Sequence, residues 1–401
     1  MSISMNSASI PQIDIDVFGD AFLTDPHGSF PALRDAGPVV WLERYGVYGM
    51  ARHAEVSAAL KDFDSFCSSR GVGLSDFSRE TPWRPPSLLL ETDPPVHDRT
   101  RGLMNRVVTM PALQKLRPMW AARAQTLAES VVARGRVDAI TEIAEVYPLM
   151  IFPDTIGLPP EGRHYLLDYA NATFNAFGPR NARFEESNDK AAPAAAWVAD
   201  ACERRNLSDD GWGMDVYRAA DEGKCTEAEA ARLVRSFLSA GVDTTINGIG
   251  NLLHAFACHP DQWQLLRSNP SLVKKSFEEA LRWDSTILTF FRTATRDVEM
   301  GGAMIPKDAK VLLFLASANR DPRRWPDADR FDITRMASGH VGFGFGIHQC
   351  LGQMVARLEA EQILSALLSR VAEIRLVGKP VRRLNNTLRA LAHLPVELVP
   401  A

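Results

Sequence analysis

Cysteine is scarce in this chain and never clustered. Cys67, Cys202, Cys225, Cys258 and Cys350 are scattered across 401 residues without a C-x-x-C pair. That excludes a disulfide framework and a structural zinc site, and it fits reduced thiols in a cytoplasm. Neither sign of charge dominates: 45 lysines and arginines stand against 49 aspartates and glutamates, a net charge of −4, which argues against a dedicated nucleic-acid binder. No long apolar run is uninterrupted. The most apolar stretch, Phe237 to Cys258, is broken by Asp243, Asn247, Asn251 and His254, so it reads as a buried helix and not as a membrane span. Residues Met1 to Gln12 hold no basic side chain and no apolar segment, so neither a secretory signal nor an anchor is expected. Flavin and nicotinamide fingerprints are lacking, so any electrons must come from outside. Length alone suggests two or three domains. With no Gly/Ser-rich or Pro-rich linker and a hydrophobic content of 46%, one domain over 1–401 with a large core is the expectation.

What is present centres on Phe343-Gly344-Phe345-Gly346-Ile347-His348-Gln349-Cys350-Leu351-Gly352. The spacing of Leu351, Val355, Leu358, Ile363 and Leu367 predicts a helix from Leu351 to about Ala372, with Cys350 at its N-terminal mouth. Backbone N–H groups at such a place stabilise a thiolate. Gly344 and Gly346 allow a sharp bend, and Gly352 withholds a side chain where a flat ligand would lie. His348 can donate to an anionic group at that ligand's rim. A lone cysteine is by itself a small buried hydrophobe. Flanking glycines with a nearby histidine point instead to an axial ligand of haem iron, which accepts a Cys thiolate. There is no C-x-x-C-H, so covalent c-type attachment is excluded.

Along the rest of the chain, Phe30 to Ala36 and Ala54 to Lys61 read as helices, and Val39 to Glu43 with Val47 to Met50 as a hairpin. Gly71 to Leu90 lacks periodicity and reads as a long loop of the kind that forms lids. It holds Pro82-Trp83-Arg84-Pro85-Pro86-Ser87; Arg84 has little backbone freedom there, although a lone arginine ordinarily faces water. Asp93-Pro94-Pro95 opens a helix on which His97 and Arg101 share one face, a pair able to clamp an anion. Helices follow over Met110 to Arg134, Asp138 to Leu158, Gly162 to Phe177 and Ala191 to Arg205. Another opens near Thr226 and runs to about Cys258. On it Ser236, Ala240, Thr244 and Gly248 form a stripe of small side chains against which a flat macrocycle fits. Gly241 in mid-helix costs about 1 kcal/mol relative to alanine. Thr244 can bond back to its own helix, and Asp243 is expensive in so apolar a setting unless paired. A hydroxyl and a carboxylate side by side suit oxygen chemistry, one holding dioxygen and water and the other relaying protons. Glu279 and Arg282, three apart, suit a salt bridge. Phe290-Phe291-Arg292 begins extended structure, and residues 372–400 close the chain in short strands and turns.

The decapeptide resembles the haem-binding signature of the cytochrome P450 monooxygenases. Ala240-Gly241-Val242-Asp243-Thr244-Thr245 is similar to that family's oxygen-activation motif, and Glu279-Ala280-Leu281-Arg282 to its E-x-x-R, in the family's order. The resemblance implies a mainly α fold, a triangular helical prism with a small β-rich lobe. It implies haem b (iron with an axial Cys thiolate) between the Thr244 helix and the Cys350 loop, with Thr244 and Asp243 as the catalytic pair. Haem contacts are implied for His97, Arg101, Ala240, Gly241, Arg292, Phe343, Gly344, His348, Cys350 and Gly352, the propionates falling to His97, Arg101 and Arg292. Arg330, in Asp329-Arg330-Phe331, is the implied partner of the E-x-x-R.

Pro82 to Ser87, Phe174-Asn175-Ala176-Phe177-Gly178-Pro179 and Arg235-Ser236 further resemble the bacterial P450 subfamily that oxidises para-substituted benzoates. Carried over, Arg84, Ser87 and Ser236, with Arg235 as a further candidate, hold the benzoate carboxylate, Ser239 is another implied substrate contact, and Leu90, Phe174, Phe177, Ile287 and Phe290 wall the ring. A planar ring buries well between phenyl walls, and charge-assisted bonds fix its anionic end, so the para substituent would point at iron. The implied activity is hydroxylation or O-demethylation of a small aromatic carboxylate such as 4-methoxybenzoate with dioxygen. The implied electron donors are a 2Fe-2S ferredoxin and its NAD(P)H-dependent reductase. A hydrogen-peroxide-driven peroxygenase and a non-catalytic haem carrier or sensor are the rival readings. Asp243-Thr244 weighs against the first, because peroxide needs no relay, and the Arg84, Phe174 and Phe177 box against the second. Phe345 is bulky where the subfamily has a small residue, on the thiolate side, where it would act on redox potential or partner docking.

Overall fold

Two long helices with apolar faces carry the interior. Met110–Arg134, whose N-cap Thr109 hydroxyl accepts the Ala112 amide at 3.3 Å, packs along Gln353–Leu368. Asp243–Cys258 runs beside them, buried at nearly every position, against Val273–Trp283. Tyr165–Asn175 and Ala182–Ala201 pack on each other over one side of this body. The computed structural model describes residues 10–401. Residues 1–9 lie outside them, and with them most of the stretch in which no signal or anchor is expected. Among the described residues no helix is long and apolar enough to cross a membrane.

The β lobe is a six-stranded sheet in the order Gln12–Ile13, Val40–Leu42, Val47–Met50, Lys310–Phe314, Thr289–Ala294, Phe66–Cys67. Phe290 pairs with Leu313 and Arg292 with Val311. Alternation along a strand therefore puts Phe290 and Arg292 on one face. A second sheet joins Val371–Leu376, Pro395–Pro400 and Arg136–Asp138, and Val381–Leu384 pairs with Arg389–His393. The mainly helical architecture with small sheets that the resemblance implies is thus what the chain adopts.

Several element boundaries differ from the sequence expectation, each for a local reason. The helix read from Thr226 to Cys258 is two, Glu227–Ala240 and Asp243–Cys258, interrupted at Gly241-Val242. The Thr244 hydroxyl donates to the Ala240 carbonyl at 2.7 Å across the break. Asp138 to Leu158 is not one helix: residues 136–138 pair with the C-terminal strand, Ile140–Ala144 forms a π turn, and only Val146–Ile156 is α. The helix expected from Ala191 starts at Ala182, because the Asn181 side chain caps the Phe184 amide at 3.0 Å, and it carries Pro193 inside it. The helix after Cys350 spans Gln353–Leu368, since Val371 already pairs with Pro400. Trp212–Asp221 was not expected; Gly211 and Gly213, which argue for a loop, are there because a Cβ on either would lie within 3 Å of the Ile156 carbonyl.

Arg330 is not the partner of the E-x-x-R. Its side chain is exposed, turned outward by the tight turn in which its amide bonds the Asp327 carbonyl at 3.0 Å. Arg335, one turn further on, reaches Glu279 with Nε to Oε1 at 3.2 Å, and Arg330 contributes only its carbonyl, which accepts from Arg282 Nη2 at 3.1 Å.

Candidate functional site

The Cys350 loop is shaped by its glycines and by main-chain bonds. The Cys350 amide donates to Phe343 O at 2.8 Å and the Gly344 amide to Val341 O at 2.9 Å. Gly346 has φ +71°, and a Cβ there would lie 2.6 Å from the Leu60 carbonyl; no other residue fits. Gly352 has nothing within 4 Å of a would-be Cβ except Cys350 Sγ at 4.0 Å, so this face of the loop is open and flat. The Cys350 side chain is exposed towards an internal cavity. Burial in the protein pushes its thiol pKa up, more than the Gly352 amide and the Arg101 and Arg357 charges pull it down. The chain alone does not make a free thiolate. A coordinated metal ion does, because it deprotonates the thiol outright.

At one edge of the cavity the residues await an anion. Arg292 is buried on its strand, its pKa pulled down to about 10 by desolvation, and among the described residues its guanidinium bonds only the Phe291 carbonyl, at 2.8 Å. Arg101 bonds Asn105 at 3.2 Å, and burial lowers its pKa too. Among the described residues neither has a carboxylate at ion-pair distance. The His97 ring is buried with Nδ1 at 3.1 Å from Asp98 and Nε2 without a partner. Its centroid is 4.5 Å from that of His348, whose Nδ1 faces Leu89 O at 3.1 Å. Unneutralised buried cations are costly, and a buried ring nitrogen without a partner among the described residues adds to the cost. A flat group with two carboxylates at its rim and a metal at its centre removes both penalties. These residues fit haem: Cys350 to the iron, and His97, Arg101 and Arg292 to the propionates.

The opposite end is aromatic with a polar rim. Phe174 and Phe177 meet edge to face at 5.8 Å, and Phe177 and Phe290 at 5.7 Å. Leu90 and Ile287 complete the walls, and Arg84, Ser87, Arg235, Ser236 and Ser239 line the same cavity. Arg84 is not the bare cation expected from the sequence. Its Nη1 is 3.0 Å from Glu91 Oε2, and it also bonds Pro85 O at 3.0 Å. Glu91, buried at 3% exposure, is a residue no motif pointed to; the same Oε2 accepts the Ser87 amide at 2.7 Å. Its one sequence signal is a carboxylate directly after Leu88-Leu89-Leu90. Arg235 has no carboxylate partner among the described residues. It donates to Pro85 O at 2.9 Å, and burial lowers its pKa. The hydroxyls are not equivalent either. Ser236 and Ser239 donate to carbonyls four residues back, Arg232 O at 3.1 Å and Arg235 O at 2.8 Å. Ser87 Oγ instead accepts from the Leu89 and Leu90 amides at 3.3 and 3.2 Å, which leaves its own proton free for an anion.

Between the two ends lies the interrupted helix. Ser236, Ala240 and Thr244 line the cavity but Gly248 does not; it packs on Phe277, whose ring is 3.3 Å from a would-be Cβ. Gly241 borders the cavity, yet its lack of a Cβ serves Phe152, 2.4 Å from where one would stand. Asp243 is the site residue that departs most from expectation. It is fully buried, lies behind the cavity wall, and pairs with Arg383 through Oδ1 at 2.5 Å, with Asn247 donating to the same oxygen at 3.1 Å. Its Oδ2 has no partner. Arg383, on the C-terminal hairpin, carried no signal in the sequence.

The comparisons agree with this geometry. A family model described as Cytochrome P450 matches residues 148–372. Cytochrome p450 CYP199A2 of Rhodopseudomonas palustris is 52% identical over 399 residues, covering 99% of this chain and 97% of that protein. The Vitamin D(3) 25-hydroxylase of Pseudonocardia autotrophica is 32% identical, over 96% of each. Among solved structures, cytochrome P450 CREJ in complex with (4-ethylphenyl) dihydrogen phosphate superimposes with a TM-score of 0.86 at 27% identity, over 94% of this chain and 98% of that one. Cytochrome P450 CYP109Q5 from Chondromyces apiculatus gives 0.82 at 31% identity, over 97% and 99%.

Proposed function

Because the chain belongs to the cytochrome P450 family of haem-thiolate monooxygenases, we propose that its substrate is a small aromatic carboxylate, a para-substituted benzoate such as 4-methoxybenzoate, which it hydroxylates or O-demethylates. The observation that carries this reading is a single cavity lined both by Arg84, Arg235 and Ser87, whose hydroxyl proton is free, and by the mutually packed Phe174, Phe177 and Phe290 rings. An anion there meets a charge-assisted donor set, and a flat ring meets apolar faces. The likeness to a P450 solved with a para-ethyl aryl phosphate points the same way, since that ligand too is para-substituted with an anionic opposite end.

When bound, the haem supplies the reductive activation of dioxygen. In the proposal the chain does the rest. The polar rim holds the carboxylate, the phenyl walls keep water from the ring, and anchoring one end directs the para group to the reacting centre. Thr244 Oγ1 positions dioxygen and a water, and Asp243 passes protons toward it. Electrons come from a redox partner, for which we propose a 2Fe-2S ferredoxin and its NAD(P)H-dependent reductase.

Titration of the ferric protein followed at the Soret band tests the substrate class. A high-spin shift with 4-methoxybenzoate and little or none with the meta isomer is expected. Equal responses to both, or none to any benzoate, would reject it. A companion prediction concerns the charge facing Arg84. Glu91→Gln keeps an acceptor for the Ser87 amide but removes the competing charge, so 4-methoxybenzoate should bind about fivefold tighter, a gain of ~1 kcal/mol. The neutral 4-methoxybenzamide should be unaffected. Weaker benzoate binding in this variant would mean that Glu91 aims Arg84 and does not compete with the substrate for it.

A further inference from the structure

The loop that carries Arg84 and Ser87 is rooted by a buried lysine outside every motif. Lys310 opens the strand Lys310–Phe314 and is 9% exposed. Its ammonium donates to three main-chain carbonyls, Arg70 O at 3.1 Å, Gly71 O at 2.8 Å and Gly73 O at 3.0 Å. Three N–H protons meet three acceptors within one four-residue stretch, so the donor capacity is used up. Asp76 acts on Lys310 only through space and is itself paired with Arg70. Burying an ammonium against carbonyl dipoles alone is expensive, and the position of these carbonyls suggests what the expense secures.

The stretch is tightly constrained. Gly71 has φ +92°, with Ser75 O 2.9 Å from a would-be Cβ, and a Cβ on Gly73 would lie 2.7 Å from Phe177 Cα. Between them, the Val72 carbonyl accepts the Phe291 amide at 2.9 Å, and the Leu74 amide donates to Phe177 O at 2.8 Å. The turn gathered by Lys310 therefore touches the backbone of Phe177 and the strand bearing Phe290, two of the three rings of the aromatic wall. At the loop's far end Glu91 fixes Arg84 and Ser87.

We propose that Lys310 is a positioning residue for substrate binding. By drawing the carbonyls of Arg70, Gly71 and Gly73 together it sets how the loop presents Arg84 and Ser87 beside the Phe177–Phe290 wall, and so governs affinity for an anionic aromatic substrate that it does not touch. The inference rests on the reading of this loop as the carboxylate-binding one.

The test compares two ligands on haem-loaded Lys310→Met protein. Imidazole binds the iron directly and needs no carboxylate contact; 4-methoxybenzoate needs the loop. The expected result is a benzoate Kd raised tenfold or more, an imidazole Kd within twofold of wild type, and faster amide hydrogen exchange over residues 70–90 in the ligand-free protein. Unchanged benzoate affinity overturns the proposal. So does a parallel loss for both ligands with wild-type exchange in the loop, which would make Lys310 a structural residue only. Should Lys310→Met not accumulate folded, Lys310→Arg carries the same comparison. It keeps the charge, but a guanidinium spreads its donors over three nitrogens and does not match carbonyls gathered around a single one, and the absence of any split between the ligands in it overturns the proposal. If wild-type protein responds to no benzoate, the substrate reading fails on its own. Loop exchange then decides the lysine's role, and unchanged exchange in the variant overturns it.

Discussion

Arg282→Met is expected to leave little or no haem-loaded protein. Glu279 and Arg282 are both fully buried, and their contact is bidentate, Nε to Oε2 at 2.7 Å and Nη2 to Oε1 at 2.8 Å. The other guanidinium protons reach three carbonyls, Asn319 and Ala328 at 3.0 and 2.7 Å and Arg330 at 3.1 Å. Every N–H of the side chain is thus used. Removing it leaves a buried carboxylate supported by Arg335 and the Asp332 amide alone, and breaking a pair of this kind costs ~3–5 kcal/mol. Each orphaned carbonyl adds ~1–3 kcal/mol before relaxation. Against a usual total of ~5–15 kcal/mol for a folded domain, that is enough to prevent folding. Soret absorbance per total protein and the melting temperature are the measurements. A variant that loads haem fully and melts within a few degrees of wild type would show that the pair is dispensable. The connection to the site is direct: Asn319, whose carbonyl takes Arg282, uses its side-chain oxygen to hold the Val341 amide at 2.7 Å, at the start of the loop that ends in Cys350.

The sequence reported chemistry better than it reported partners. Cys350 and its glycines were legible because they depend on residue type at fixed local spacing, whereas the aromatic wall of Phe174, Phe177 and Phe290 came only with the family resemblance. The helix over Met110–Arg134 and the hairpin at Val40–Leu42 and Val47–Met50 were legible because periodicity and turn residues are local signals too. What stayed hidden is long-range. Arg383 lies 140 residues from the Asp243 it neutralises, and Lys310 lies more than 230 residues from the carbonyls it gathers. Nothing local distinguishes either from a solvated surface cation. Arg330 was chosen over Arg335 for the same reason: which of two nearby arginines turns inward is set by a turn geometry that spacing does not encode. Gly248 shows the converse error. Its smallness was legible, but it packs on Phe277 and not along the cavity, so a macrocycle was the wrong explanation for it.

Asp243→Asn should depress product formation about a hundredfold while leaving the substrate-induced Soret shift intact. Proton delivery by a positioned carboxylate contributes ~10²–10⁴ in rate, and a factor of one hundred is ~2.7 kcal/mol of barrier. The structure raises an objection that the experiment has to meet. Asp243 Oδ1 is held by Arg383 and Asn247, and the carboxylate stands behind the wall that Thr244 lines, so a loss of activity in this variant could reflect a broken ion pair. Arg383→Gln separates the two explanations. It breaks the same pair but leaves the carboxylate, which Asn247 still supports; because that carboxylate is fully buried, the loss of its partner is itself destabilising, and melting temperatures of both variants are measured beside turnover. If the proton on Asp243 is what counts, Arg383→Gln should lose less than tenfold, and only Asp243→Asn should show a larger solvent isotope effect on NADH-coupled turnover. Equal losses in the two variants, with no change in isotope effect, would reduce Asp243 to a structural anion. Thr244, which lines the cavity and donates its hydroxyl proton to Ala240 O, would then need another source of protons.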